Sequence, residues 1–286
     1  MRLTDINDIK ELLARHGFRF SKSLGQNFLV ADWVLRDIAD SAFLDENTGV
    51  LEIGPGIGCL TSELSQRAQK VVAVELDNAL RPVLVETLAG LDNVEIVFGD
   101  VMRQDISALV DSKLSGLRLA VCANLPYNIT SPVLTKLIEC GRFDSITVMI
   151  QREVARRICA KPNTPDYGAF GIFVQWYMDT ELLFDVPPNC FVPQPKVTSS
   201  VIRMTRRDNP PCIVRDEVLL FKIIRAAFNQ RRKTLVNALS SGLGYEKPML
   251  ERALTQCGLD VRVRGEALEI AEFAKLCEII IDINGI

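Results

Sequence analysis

Gly49-Val50-Leu51-Glu52-Ile53-Gly54-Pro55-Gly56-Ile57-Gly58 is an apolar run that breaks into three alternating glycines before a helical pattern opens at Leu60. A strand that ends in a glycine-rich turn and runs straight into a helix is the first unit of an open α/β sheet. Glycines at that turn let the backbone approach a bound ligand closely.

The neighbouring sequence repeats the pattern. KVVAVEL (70–76), VEIVFG (94–99), LRLAVCA (117–123) and SITVMIQ (145–151) are short and rich in β-branched residues. Helical stretches such as LTSELSQRA (60–68) and SPVLTKLIECG (131–141) separate them. Nearly unbroken apolar strands are expected where helices cover both faces of a parallel sheet. The fold class is therefore α/β and doubly wound. FGIFVQWYM (170–178) and VTSSVIRM (197–204) also read as strands, on either side of the Pro-rich DVPPNCFVPQPK (185–196), and would complete the sheet as an antiparallel hairpin. After the turn-like DNPP (208–211) only helical periodicity remains, with breaks at Gly242–Gly244, Lys247–Pro248 and Gly258. Two domains are expected: 1–207, carrying the ligand site, and a small all-helical domain over 208–286.

Composition narrows the function classes. With 48% hydrophobic and 24% charged residues the chain is that of a folded globular protein. It has no apolar run of about 18 residues that would cross a membrane. Asp5, Asp8 and Glu11 stand where a signal peptide needs apolar residues, so a cytoplasmic location is expected. Eight dispersed cysteines without a CxxC pair, and the single His16, predict no metal site; the cysteines read as small buried hydrophobes. The net charge of −3 is unlike the basic footprint of most nucleic-acid binders. Yet 142–161, 193–207 and 225–233 are locally basic, either as three solvated surfaces or as one assembled face.

The candidate site residues sit at strand ends. The spacing G-x-G-x-G differs from the G-x-G-x-x-G of dinucleotide folds and suits a cofactor that presents an amino acid and a nucleoside. Glu75, 21 positions after Gly54, ends the second strand, where an acid can accept from both ribose hydroxyls. Asp100 ends the third and can hold an adenine amine. The fourth ends in Asn124-Leu125-Pro126-Tyr127. An exocyclic adenine amine is a poor nucleophile because its lone pair is delocalised into the ring. Hydrogen bonds from that amine to the Asn124 side-chain oxygen and to a carbonyl at Leu125 or Pro126 would localise the pair. Proline removes a competing donor, and Tyr127 can stack on an extruded base.

With these residues in view, the chain resembles the ribosomal RNA adenine dimethyltransferase family, most closely its small-subunit (KsgA-type) branch. The resemblance runs from Lys22-Ser23-Leu24-Gly25-Gln26-Asn27-Phe28-Leu29 to Arg264-Gly265-Glu266-Ala267-Leu268. Between them lie the glycine loop, NLPYNITSP (124–132), MIQREVARRI (149–158), DYGAFGIFVQ (166–175), VPPNCFVPQPKVTSSVIR (186–203) and FNQRRKTLVNAL (228–239). The resemblance implies a class I, Rossmann-like methyltransferase that uses S-adenosylmethionine and no metal. It implies that Asn27 and Leu29 touch that cofactor, with Gly54 at its methionine end, Glu75 on the ribose, Asp100 on the adenine and Asn124 near the methyl. It gives Phe191, which the residues alone read as a core aromatic, the role of a second wall of the base pocket opposite Tyr127. It assigns Arg231, Arg232 and Lys233 to rRNA contact. The implied substrate is a pair of adjacent adenines in the loop of the 3′-terminal hairpin of 16S rRNA, each dimethylated at N6, within a small (30S) subunit or its precursor. A monomer is expected, with no DNA or membrane partner.

Other readings share parts of this pattern. The sister group that dimethylates large-subunit rRNA has QNFL and Asn-x-Pro-Tyr, but FNQRRKTL and the long helical C-terminal region favour the small-subunit type. A DNA adenine methyltransferase would need a larger target-recognition domain, and a nicotinamide dehydrogenase has different glycine spacing. A ribosome-assembly factor whose catalysis is secondary is the alternative from another class. Two features depart from the family pattern: Phe170-Gly171 where Leu-Ser is expected, and a low isoelectric point of about 5.5.

Overall fold

The computed structural model describes residues 3–21 and 24–285; Lys22 and Ser23 of the first family motif lie outside them. The chain runs α1 (Ile6–Arg15), β1 (Phe28–Leu29), α2 (Asp32–Ser41), β2 (Thr48–Ile53), α3 (Cys59–Ser65), β3 (Lys70–Glu75), α4 (Arg81–Thr87) and β4 (Val94–Phe98). It continues with α5 (Ile106–Lys113), β5 (Arg118–Asn124), α6 (Thr130–Cys140), β6 (Ser145–Gln151), α7 (Arg152–Ile158), α8 (Ala169–Tyr177), β7 (Met178–Val186), β8 (Phe191–Val192) and β9 (Ser199–Arg206). Four helices follow: α9 (Glu217–Asn229), α10 (Leu235–Leu243), α11 (Lys247–Cys257) and α12 (Ile270–Asn284).

Seven strands form one sheet in the order β4-β3-β2-β5-β6-β9-β7. The first five are parallel, and β9 pairs antiparallel with β6, from Ser145 opposite Thr205 to Gln151 opposite Ser199. Every residue of β2 is buried, as helical cover on both faces requires. From β2 the chain winds outward to β3 and β4, then returns to place β5 on the other side of β2. This reversal opens a crevice between the carboxyl ends of β2 and β5, where doubly wound sheets hold their ligands. A second, two-stranded sheet pairs Leu29 of β1 with Phe191 of β8, joining two motifs 162 positions apart in the sequence.

The antiparallel hairpin that completes the sheet consists of 178–186 and 199–206, and residues 170–177 do not form a strand. Ala169–Tyr177 is helix α8. Its aromatic and β-branched run favours extended backbone, but burial imposes the helical period. Ile172 and Trp176, four apart, are fully buried, and Phe173 meets Tyr177 with ring centroids 5.3 Å apart. Gln175 Nε2 donates to the carbonyls of Ile158 and Ala160 at 2.7 and 3.0 Å.

The two compact units are therefore not contiguous in sequence. One holds residues 1–155 and 179–206; the other holds 156–178 and 207–286. The units divide at 206–207, where the sequence reading set its boundary at 207–208, and the segment 156–178 groups with the C-terminal helices. Its Tyr167 is buried in their core and donates to the Leu268 carbonyl at 2.9 Å, while Trp176 Nε1 donates to Glu217 at 3.2 Å.

The departure at Phe170-Gly171 has a local cause. A Cβ on Gly171 would stand 2.3 Å from the Arg157 carbonyl oxygen, so α8 comes closer to the end of α7 than a side chain allows. Gly171→Ser is expected to cost about 1–3 kcal/mol of stability, the usual penalty of overpacking. Thermal unfolding of the purified variant checks this, and an unchanged midpoint would mean that the helices part without cost.

Candidate active site

The crevice forms a cavity of about 250 Å³. Its walls come from the residues before and within β1, the glycine loop after β2 and the ends of β3, β4 and β5. Asn27, Leu29, Gly54, Glu75, Asp100, Asn124, Leu125, Pro126 and Tyr127, expected at the site from sequence, all line it.

The glycine loop is built for close approach. Gly54 has φ +72° and nothing within 4 Å of where a Cβ would be, so its open side offers room for a ligand. Gly56 has φ +60°, and its missing Cβ would sit 3.0 Å from the Phe28 ring; the loop is pressed against the motif on β1. Glu75 closes the far side. One carboxylate oxygen accepts from the Gly56 amide at 3.3 Å and the other from the Asp77 amide at 2.7 Å. Burial pushes its pKa above the ordinary carboxylate value, while these backbone donors pull it back. A carboxylate has acceptor capacity beyond these donors, as a ribose diol requires. Asp100 accepts from the Met102 amide at 2.9 Å.

Glu52 carries no role in the sequence reading. It stands on β2 at 1% exposure, lines the cavity, and has a buried carboxyl oxygen without a partner. Thr61 Oγ1 is buried beside it, and its hydroxyl pulls the Glu52 pKa back in part. Burial pushes the pKa of Glu52 up to about 8, and the charge of Glu75 adds to the shift. The available signal was an acid inside a strand that is otherwise wholly apolar.

Asn124 is oriented by a contact that spans the chain. Its Nδ2 donates to the Asn27 carbonyl at 3.2 Å. A carbonyl can only accept, so the amide nitrogen must face it and Oδ1 is left as the free end. The two backbone acceptors left open by the sequence are now distinguished. The Pro126 carbonyl already accepts from the Ile129 amide at 3.2 Å and from Thr130 Oγ1 at 3.1 Å. Among the described residues no hydrogen bond engages the Leu125 carbonyl. Leu125 N donates to the Met149 carbonyl at 3.1 Å, which pins the turn to β6. Tyr127 shares a 2.7 Å hydrogen bond with Ser199 Oγ on β9, and burial pushes its hydroxyl pKa up, so the ring is anchored by a neutral phenol.

Phe191 is not brought to the cavity. Its ring is 1% exposed, in a core cluster with Phe28, Leu29 and Cys190, and it does not line this cavity. It pairs with Leu29 across the β1–β8 ladder. Arg231 is likewise committed elsewhere. Its guanidinium donates to Glu266 at 2.6 Å and to the carbonyls of Pro165 and Thr164 at 2.6 and 3.0 Å, holding the helical unit together. Arg232 and Lys233 are exposed and have no partner among the described residues. In the other basic runs three arginines are ion-paired: Arg142 with Asp111, Arg152 with Asp185 and Arg203 with Glu181. Of the eight cysteines, Cys59, Cys122, Cys190 and Cys277 are buried and the others half-buried, all as free thiols. No described helix is long and apolar enough to cross a membrane.

Glu52 predicts a pH dependence. Its folded pKa near 8 lies above the ordinary value of 4.5, so between these values the folded chain keeps a proton that the unfolded chain releases. Stability from this group is full below about pH 4.5 and falls as pH rises toward 8. Glu52→Gln is expected to flatten that fall in unfolding midpoints measured across the window. An equal slope in both proteins would mean that the carboxyl is already ionised in the fold.

Comparison with known proteins agrees with this geometry. The family model described as ribosomal RNA adenine dimethylase matches residues 17–282. A protein of Geobacillus thermodenitrificans named ribosomal RNA small subunit methyltransferase A is 49% identical, over 93% of both chains. One of the same name from Clostridium perfringens is 45% identical over 98% of both. Among solved structures, 23S rRNA methyltransferase ErmE superposes with a TM-score of 0.68 at 26% identity, covering 89% of this chain and 99% of its own. A dimethyladenosine transferase from Plasmodium falciparum shares the fold, with a TM-score of 0.73 at 23% identity over 90% of this chain and 98% of its own. A family model spanning nearly the whole chain, relatives close to half identical, and an Asn-Leu-Pro-Tyr turn set at the mouth of a nucleoside-sized crevice together place this protein in the ribosomal RNA adenine dimethylase family.

Proposed function

We propose that this protein dimethylates N6 of two adjacent adenines in the loop of the 3′-terminal hairpin of 16S rRNA, acting as a monomer in the cytoplasm on a small subunit or its precursor. The observation that carries the reading is Asn124, whose Nδ2 faces the Asn27 carbonyl and leaves its oxygen free, next in sequence to a Leu125 carbonyl that no hydrogen bond engages among the described residues. Two acceptors from adjacent residues match the two N–H bonds of an exocyclic amine.

The residues that hold S-adenosylmethionine in this reading are Asn27 and Leu29, the loop at Gly54, Glu75 on the ribose and Asp100 on the adenine. The cofactor supplies a methyl group already activated on a sulfonium. The chain's own part is positioning. Asn124 Oδ1 and the Leu125 carbonyl accept from the target amine and direct its lone pair, while Pro126 fixes the turn. Tyr127, tethered by Ser199, offers its ring to the base. The amine loses its proton after it has become cationic, so no histidine base, nucleophilic side chain or metal is needed. Glu52 places a protonated carboxyl at the cavity wall.

Arg232 and Lys233 are the RNA contacts in this reading, and Arg231 braces the segment that carries them. The relatives near half identity bear the small-subunit name, which favours small-subunit rRNA over the large-subunit substrate of the more distant relative. With a net charge of −3, the shape of the subunit is expected to contribute to recognition alongside these cations.

Methyl transfer from labelled S-adenosylmethionine to small and large subunits lacking these modifications, with the product nucleosides resolved by mass spectrometry, tests the assignment. N6,N6-dimethyladenosine in small-subunit rRNA alone is expected. Label in the large subunit would move the substrate to the sister group, and none in either would favour an assembly factor. Replacing Arg232 and Lys233 together by Glu is expected to weaken small-subunit binding by at least about tenfold at physiological salt and to shrink its salt dependence. Filter binding across a salt series reads both; unchanged affinity would remove this pair from the interface.

A further inference from the structure

Gln26 lies in the motif at β1 but contacts neither of the groups proposed to react. Its Oε1 accepts from the Ser21 amide at 2.8 Å, and its Nε2 donates to Asp77 Oδ2 at 2.7 Å. Asp77 in turn donates its backbone N–H to Glu75, the acid at the ribose end of the cavity, which also holds the Gly56 amide. One residue further on, the Asn27 carbonyl receives Asn124 Nδ2, and the Asn27 side chain donates to the Gly25 carbonyl at 3.0 Å. Past β1, Val30 N donates to the Cys190 carbonyl at 2.9 Å. The Asn27 carbonyl is therefore held between two fixed points, Gln26 on Asp77 and Val30 on Cys190.

This arrangement joins two halves of the cavity that the sheet leaves separate. Glu75 ends β3 and Asn124 ends β5, with β2 between them. Without a carbonyl opposite it, the Asn124 amide could present either N–H or oxygen to a substrate amine, and an N–H there would repel it. We propose that Gln26 is a positioning residue: by tying residues 24–29 to Asp77 and Glu75 it sets the Asn27 carbonyl that turns the Asn124 oxygen toward the target amine, so that occupation of the ribose end and readiness of the amine acceptor are coupled. The inference rests on the role proposed above for Asn124.

Two variants and two readouts test it. Gln26→Ala removes the tie and Gln26→Glu sets a carboxylate against Asp77; equal unfolding midpoints would show that both fold. In the 15N spectrum, the Asn124 side-chain amide, assigned by its loss in Asn124→Asp, is expected to shift in both variants. Addition of S-adenosylhomocysteine is expected to move the same signal in the wild-type protein only. Single-turnover methyl transfer to small subunits is expected to slow roughly 10- to 100-fold, the scale of one lost hydrogen bond to a charged partner, with the KM for RNA unchanged. In an Asn124→Asp background, where a symmetric carboxylate needs no turning, Gln26→Ala is expected to cost less than about threefold. An unshifted Asn124 signal, or the same loss of rate in both backgrounds, would overturn the positioning role. Full transfer by Asn124→Ala would instead overturn the role of Asn124, a distinct result because it does not depend on Gln26.

Discussion

The pairing of β2 with β5 is the constraint on which the site depends. Both strands lie inside a parallel sheet whose ladder leaves their carboxyl ends free, and the chain departs from those ends in opposite directions. The two departing loops cannot cover the gap between them, so a crevice must exist there. Everything placed at its rim is a consequence of where the strands stop: the glycine turn after Ile53, Glu75 one strand away, and Asn124 across from both. A ligand-sized opening is thus enforced by backbone hydrogen bonding rather than by any one side chain.

The antiparallel β9 adds what the parallel strands cannot. It runs back beside β6 and brings Ser199 to the level where β5 ends, and that hydroxyl anchors Tyr127. The small β1–β8 sheet brings the Asn27 carbonyl to Asn124 in the same way. The proposed reacting groups are thus each oriented from a distant part of the chain, which suits a reaction that depends on alignment rather than on a strong base. The low net basicity has a comparable explanation. Most arginines in the basic runs serve the fold, as Arg231 does toward Glu266 and two carbonyls, so a local count of cations overstates the charge available to RNA.

Sequence alone carried a large part of this. Apolar runs at regular spacing identify five parallel strands, because burial on both faces leaves no polar alternation. The cofactor-side acids were legible because a carboxylate at a strand end has few structural reasons to be there. The Asn-Leu-Pro-Tyr turn was legible because its four residue types serve one chemistry. FGIFVQWYM misled for a physical reason: its β propensity is real, and only burial against its neighbours enforces the helix whose i, i+4 aromatic spacing was the weaker signal.

Local patterning therefore determined the strands, the glycine turn and the chemical identities at the cavity rim, since each follows from residue type and short-range spacing. Tertiary structure decided the rest. It chose the Leu125 carbonyl over that of Pro126, because Thr130 and Ile129 occupy the latter. It turned Asn124 by means of Asn27, buried Phe191, committed Arg231 to its own unit, and left Glu52 without a partner in a buried site. Apart from the choice at Pro126, which is made three and four residues away, these depend on what a polar atom or an aromatic ring meets far along the chain. Hydrogen-bond capacity can be read from a sequence, but which partner fills it is settled only when the chain has folded.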